Sequence, residues 1–279
     1  MIDIHTHLHP PLLFAAIRRW FAQHSDWDVA GAPTEPQAVA AALRQAGVER
    51  FVFCSYAHKP GIARELNAWL AATSRALGGY GLPLATVHPA DPDYLEDARE
   101  ALGAGCIGLK VHEDVQRLDV DDARLGPVFE ELSGRGAFLL VHVGPIPWRY
   151  PAHVGAARVE RVLRQHPKLN VVVAHFGTPD SPEYFALMNQ FERLYLDTTM
   201  VFGGPSLVRA PVDVAALERY SGRVLYGTDF PNVPYPYANE RAGLERLGLS
   251  TGALQAIMGG NAARLLREAG ARGLDAARG

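Results

Sequence analysis

Eight short runs rich in apolar residues recur along this chain, and most are followed by a stretch of helical periodicity. The first is Met1-Ile2-Asp3-Ile4-His5-Thr6-His7. The others cover 50–54, 81–87, 106–111, 137–142, 170–175, 194–197 and 223–229. Most are nearly continuous rather than alternating, as parallel strands covered on both faces require. Helix start and stop signals fall between them. Pro36 opens a stretch with Ala38, Val39, Ala42 and Leu43 on one face and Gly47 at its end, and Asp91-Pro92 opens another that closes at Gly103. A strand-then-helix unit repeating at roughly 30 residues predicts a (β/α)8 TIM barrel, with room for local distortion. The reading is one domain over 1–279, because no linker, charge block or low-complexity tract divides the chain. Residues 8–33 read as a long first loop able to cover the barrel mouth, and the tail from Ser250 as a small helical cap.

Composition narrows the function. The 279 residues are 48% hydrophobic and 20% charged, with a net charge of −3. That balance argues against a nucleic-acid track or an electrostatic membrane anchor. Cys54 and Cys106 are not in a C-x-x-C arrangement and read as buried apolar residues. No apolar run reaches the roughly 18 residues of a membrane span, and no basic segment with an apolar core precedes the first strand. A cytoplasmic protein acting on a small molecule is expected, with no nucleic-acid or membrane partner; a homo-oligomer is compatible with this composition.

In such a barrel the active site lies at the C-terminal ends of the strands. There this chain places His5 and His7, Lys110 and His112, His142, His175, and Asp229. Taken as a regular strand, the opening run puts Asp3, His5 and His7 on one face. Two imidazoles so spaced can reach one metal ion. An isolated His-x-His is weak, and a lone His after an apolar run is more often a core or rim residue. Titratable strand ends repeated around one ring point to a metal site.

The segments Ile2-Asp3-Ile4-His5-Thr6-His7, Gly108-Leu109-Lys110-Val111-His112, Val141-His142-Val143-Gly144, Ala174-His175-Phe176-Gly177, Tyr226-Gly227-Thr228-Asp229-Phe230-Pro231 and Gly260-Asn261-Ala262-Ala263-Arg264-Leu265-Leu266 occur in the order seen in the amidohydrolase superfamily. The chain most resembles its amidohydrolase-2 group of hydrolases, lactonases and non-oxidative decarboxylases. The resemblance implies that His5, His7, His142 and Asp229 bind one divalent metal, often zinc, with His175 free as electrostatic partner or acid/base. The two-metal pattern of the superfamily instead uses a carboxylated lysine, here Lys110, with His142 and His175 on the second ion. A dicationic centre lowers a lysine pKa, as carboxylation requires. Otherwise Lys110 binds a substrate carboxylate or pairs with an acidic side chain. The single-metal form is favoured on resemblance alone.

The resulting expectation is hydrolysis of an amide, lactone or ester by metal-activated water, with Asp229 as general base then acid and His175 steadying the oxyanion. The alternative is decarboxylation of an unsaturated or aromatic acid on the same site. A nuclease of the TatD type shares the histidines, but usually carries an acid where Lys110 stands. A non-catalytic barrel would require a vestigial ligand set. Substrate contacts are expected from Lys110, His112, and Trp148-Arg149-Tyr150, where an Arg between aromatics can grip a carboxylate. Tyr56, His58, Lys59 and His88 read first as solvated loop residues. Glu113 and Asp114 either contact substrate or cap a turn. His9 is a pocket candidate, His24, His153 and His166 read as surface residues, and 231–237 reads as a stiff aromatic loop shaping the pocket.

Overall fold

The computed structural model describes residues 1–29, 31–143, 155–203 and 212–271. The strands are β1 (Ile2–His7), β2 (Arg50–Cys54), β3 (Gly81–Pro83), β4 (Gly108–His112), β5 (Phe138–His142), β6 (Asn170–Val173), β7 (Leu194–Asp197) and β8 (Val224–Leu225). All strand pairs are parallel, in one sheet of order β1-β2-β3 and one of order β4 through β8. Backbone bonds close both gaps. Lys110 N–H donates to Ala85 O, and Ile4 N–H to Tyr226 O. Bridges Ala85–Leu109 and Thr6–Phe230 complete the ring. The fold is the expected TIM barrel. β3 and β8 are shorter than their apolar runs, and these bridges replace the missing ladder.

Helices clothe the ring: α1 (Pro11–His24), α2 (Pro36–Gln45), α3 (Ala63–Ala76), α4 (Tyr94–Gly103), the single turn α5 (Glu113–Gln116), α6 (Gly126–Gly134), α7 (Gly155–Gln165), α8 (Ser181–Met188), α9 (Val214–Tyr220), α10 (Ala238–Glu245), α11 (Thr251–Gln255) and α12 (Asn261–Glu268). Strand alternation divides the core. On β5, Leu139 and Val141 face outward and pack with Val128, Phe129 and Leu132 of α6. Phe138 and Leu140 face inward with Ile2, Ile4, Val172 and Leu225, and Ala262, Leu265 and Leu266 of α12 plug that interior. Gly136, at the start of β5, sits so close to α12 that a Cβ would lie 2.4 Å from Glu268 O. The C-terminal cap therefore closes the end of the barrel where strands begin, and leaves the other end for the site.

β1 departs from the alternation expected of it. Asp3 pairs with Phe51 and Thr6 with Phe53, so β1 holds one residue more than β2 between those points. Such a bulge switches which side chains face inward. Ile2 and Ile4 fill the interior below the bulge, and His5 and His7 enter the cavity above it. Asp3 is thereby separated from the two histidines.

Candidate metal centre and catalytic cavity

The bulge, the inward parity of β4 and β5, and the turns after β6 and β8 converge on one group of side chains. His5 is fully committed. Its Nδ1 lies 2.8 Å from Asp197 Oδ2 and 3.2 Å from Thr199 Oγ1, while Nε2 lies 3.0 Å from Lys110 Nζ and 3.2 Å from Asp229 Oδ1. A carboxylate at Nδ1 fixes the N–H there and leaves the Nε2 lone pair facing the cavity. His7 Nε2 is 2.8 Å from the same Asp229 oxygen, and its Nδ1 is 3.6 Å from Cys54 Sγ. Asp229 Oδ1 thus meets two imidazole nitrogens.

Across the floor His142 Nδ1 lies 2.8 Å from His175 Nε2. His175 Nδ1 is 3.3 Å from Thr199 O, so it donates there and Nε2 accepts from His142. His142 Nε2 then carries a lone pair, and it is buried with no hydrogen-bond partner among the described residues. The His112 ring stacks on His142 at 3.9 Å and 13°.

The backbone is strained around these groups. His175, Phe176, Met200 and Asp229 have φ of 55°, 58°, 63° and 66°, in the left-handed region that favours glycine. Asp197 Oδ1 accepts from His175 N at 2.9 Å and from Thr199 N at 3.1 Å, so one buried carboxylate fixes the strand ends of both β6 and β7. Asp3 supports the third, accepting from His5 N at 3.1 Å, Thr228 Oγ1 at 2.7 Å and Tyr237 Oη at 3.0 Å. Gly227 is required by close approach, because a Cβ there would lie 2.7 Å from Thr199 Oγ1 and 3.1 Å from His5 Cβ.

The electrostatics divide the histidines. Burial lowers His112 and His142 well below the ordinary imidazole value, neighbouring Lys110 and histidine charges add to this, and His175 falls to about 4. These rings are neutral and keep their lone pairs. Burial alone would raise Asp229, but His7 first, then His5 and His175, hold it well below the carboxylate range. Burial likewise lowers His7, yet Cys54 and Asp229 outweigh it and raise the ring. The His7–Asp229 contact therefore favours positive charge, the condition under which a divalent ion displaces protons from its ligands.

This donor set fits a divalent metal. The nitrogens of His5 and His7 converge on a carboxylate oxygen, and His142 adds an orphaned ring nitrogen. Cys54 Sγ also comes within 4.8 Å of donor atoms of His5 and His7. It approaches the Nδ1 edge of His7, opposite the edge that meets Asp229, and so braces that ring from behind.

The cavity has a volume of about 710 Å³ and is lined by His5, His7, Lys110, His112, His142, His175 and Asp229, so these expected site residues share one space. Trp148, Arg149, Tyr150 and His153 lie outside the described residues. Tyr56, His58, Lys59 and His88, which read first as solvated loop residues, line the cavity, as does Asp114, left between a substrate contact and a turn cap. Glu113 does not line it, and caps the following turn by accepting from Val120 N at 2.7 Å. His9 is buried behind His7 and lies 2.8 Å from Ser55 Oγ. His24 and His166 lie away from the cavity, on Trp20 O and Glu130. In the 231–237 segment Asn232 lines the cavity. Tyr235 and Tyr237 turn instead to the buried carboxylates Glu240 and Asp3. Sequence reasoning overlooked Asp197, although it ends an apolar run as the ligand candidates do.

A family model described as amidohydrolase matches residues 2–267. A 6-methylsalicylic acid decarboxylase of Penicillium expansum is 21% identical over 284 residues, covering 84% of this chain and 86% of that protein. Solved structures give the fold. A TIM-barrel protein of Bordetella bronchiseptica is 23% identical with a TM-score of 0.71, over 97% of this chain and 100% of that one. A 5-carboxyvanillate decarboxylase of Sphingomonas paucimobilis is 18% identical at 0.70, over 96% and 98%. A dihydroxybenzoic acid decarboxylase of Polaromonas sp., solved with manganese and 2-nitroresorcinol, is 16% identical at 0.66, over 95% and 96%.

Proposed function

The chain belongs to the amidohydrolase family, and from that premise we propose that it is a metal-dependent decarboxylase of a small aromatic or unsaturated carboxylic acid. The observation that carries this reading is the buried ammonium of Lys110, 1% exposed and 3.0 Å from His5 Nε2, on the floor of the cavity. A buried cation there matches a substrate carboxylate, whereas a neutral amide or lactone supplies it no counter-charge. The decarboxylase relatives support the same choice over the hydrolysis that the residues alone put first.

His5, His7, His142 and Asp229 are the residues we assign to hold one divalent ion. When bound, it supplies Lewis-acid attraction for substrate oxygens. Manganese in the Polaromonas enzyme supports a divalent ion, and an imidazole and carboxylate donor set accepts manganese or zinc.

Lys110 and His112 bind the carboxylate end of the substrate at the floor. Asp229 carries a proton to the ring carbon that bears the carboxylate. The bond between that carbon and the carboxyl carbon then breaks, its electron pair returns to the ring, and carbon dioxide leaves. Each turnover takes up one proton from solvent to replace the one Asp229 spends, and His175, hydrogen-bonded to His142 and within electrostatic reach of Asp229, relays it. The turns that force positive φ at His175 and Asp229 hold both groups in place before substrate arrives.

The test supplies purified, manganese- or zinc-loaded protein with hydroxybenzoic acids labelled in the carboxyl carbon. Labelled carbon dioxide is expected from the native protein and not from Asp229→Asn. Opening of a lactone or ester with no carbon dioxide from any acid would return the site to hydrolysis.

A further inference from the structure

Part of the cavity lining is supplied by α1, and its packing is unusual. Of its 14 residues, Phe14 is the one buried side chain. Its apolar stripe, Leu13, Ala16, Ile17, Trp20 and Phe21, follows the i, i+3, i+4, i+7, i+8 spacing by which a helix normally buries a face in a core. Here that stripe lines the cavity instead. Trp27, beyond the helix, lines it too and stacks on Phe21 at 5.5 Å and 12°. The cavity lining therefore combines Lys110 and imidazoles with an aromatic helix face.

Size adds a second constraint. A volume of about 710 Å³ falls within the roughly 300–1,000 Å³ of sites that enclose drug-sized ligands. A single-ring acid fills only part of a cavity of that volume. The apolar surface of the α1 stripe gains free energy only when a ligand covers it.

We propose that α1 is the specificity-determining wall of this enzyme, and that its substrate is an aromatic acid whose ring carries an apolar extension, a fused ring or alkyl chain, lying against Ile17, Trp20 and Phe21. This rests on the reading of the site as one for aromatic acids. Trp20 offers the largest surface, and ring-on-ring contact with it adds to the burial. Arg18, bonded to Ala32 O and set 5.2 Å over the Phe14 ring, fastens the helix from its other side.

The experiment measures equilibrium binding of two probes to the metal-loaded full chain by calorimetry: salicylic acid and a hydroxynaphthoic acid with the same adjacent hydroxyl and carboxylate. The native protein is expected to bind the naphthoic acid more tightly. Trp20→Ala should weaken the naphthoic acid about tenfold and salicylic acid less than about threefold. Leu12→Ala, on the outer face of the same helix at 87% exposure, should alter neither. Equal losses for the two acids, no loss for either, or no native preference for the larger one would overturn the inference. A selective Trp20→Ala effect with no carbon dioxide from either acid would uphold the wall and remove the decarboxylase reading.

Discussion

His5 Nδ1 and Asp197 Oδ2 lie 2.8 Å apart, both side chains fully buried, and this contact decides which nitrogen of His5 faces the cavity. Asp197 sits on β7, and its other oxygen holds the backbone of His175 and Thr199. One carboxylate thus sets a ring tautomer on β1 and the course of the chain after β6 and β7.

Asp197→Asn keeps the shape and removes the charge. Its amide oxygen still accepts from the backbone of His175 and Thr199, but its NH2 then faces His5 Nδ1 and leaves the ring N–H there without its carboxylate acceptor. Outer partners of metal ligands typically contribute about 10- to 100-fold in metal affinity. Competition titration against a chelator should show a loss of that size with little change in melting temperature. Native affinity in the variant would remove Asp197 from this role.

Gly227→Ala tests the close approach of β8 to His5. The added methyl would lie 2.7 Å from Thr199 Oγ1, which must shift, and 3.1 Å from His5 Cβ, which must give by a few tenths of an ångström. Overpacking of this kind costs about 1–3 kcal/mol. The account expects a lower melting temperature together with weaker metal binding, since His5 is a ligand. A destabilised variant with native metal affinity would show that His5 is not positioned through this contact.

Glu240 gives a pH signature away from the metal ligands. It is fully buried, accepts from Val201 N, Phe202 N and Tyr235 Oη, and burial pushes its carboxyl from 4.5 up to about 7. Between those values the folded protein holds the proton and the unfolded chain releases it. Stability is therefore lost as pH rises through that window. Glu240→Gln cannot ionise and escapes that loss, which is on the order of 3 kcal/mol at most. Urea unfolding at pH 5 and pH 8 should show the variant gaining on the native protein at the higher pH. A difference independent of pH would contradict the assignment.

The barrel was legible because its signal is local: apolar runs, caps and spacing lie within consecutive residues. The same holds for His5, His7, Lys110, His142, His175 and Asp229, which stand at strand ends. Other features depend on distant partners. The β1 bulge, which parts Asp3 from His5 and His7, exists only in the pairing with β2. Asp197 acts across the barrel on a residue 192 positions away. Helix α1 lies within the segment 8–33 that reads as loop, although its stripe has helical spacing and Pro11 stands at the first helical position, where proline marks a helix start.

The central claim is one divalent ion held by His5, His7, His142 and Asp229, and elemental analysis of metal per chain tests it most directly. The account predicts one manganese or zinc per native chain and none retained after dialysis in His142→Ala or Asp229→Asn. No metal in the native protein, or two per chain with a carboxylated Lys110 in a high-resolution map, would contradict it.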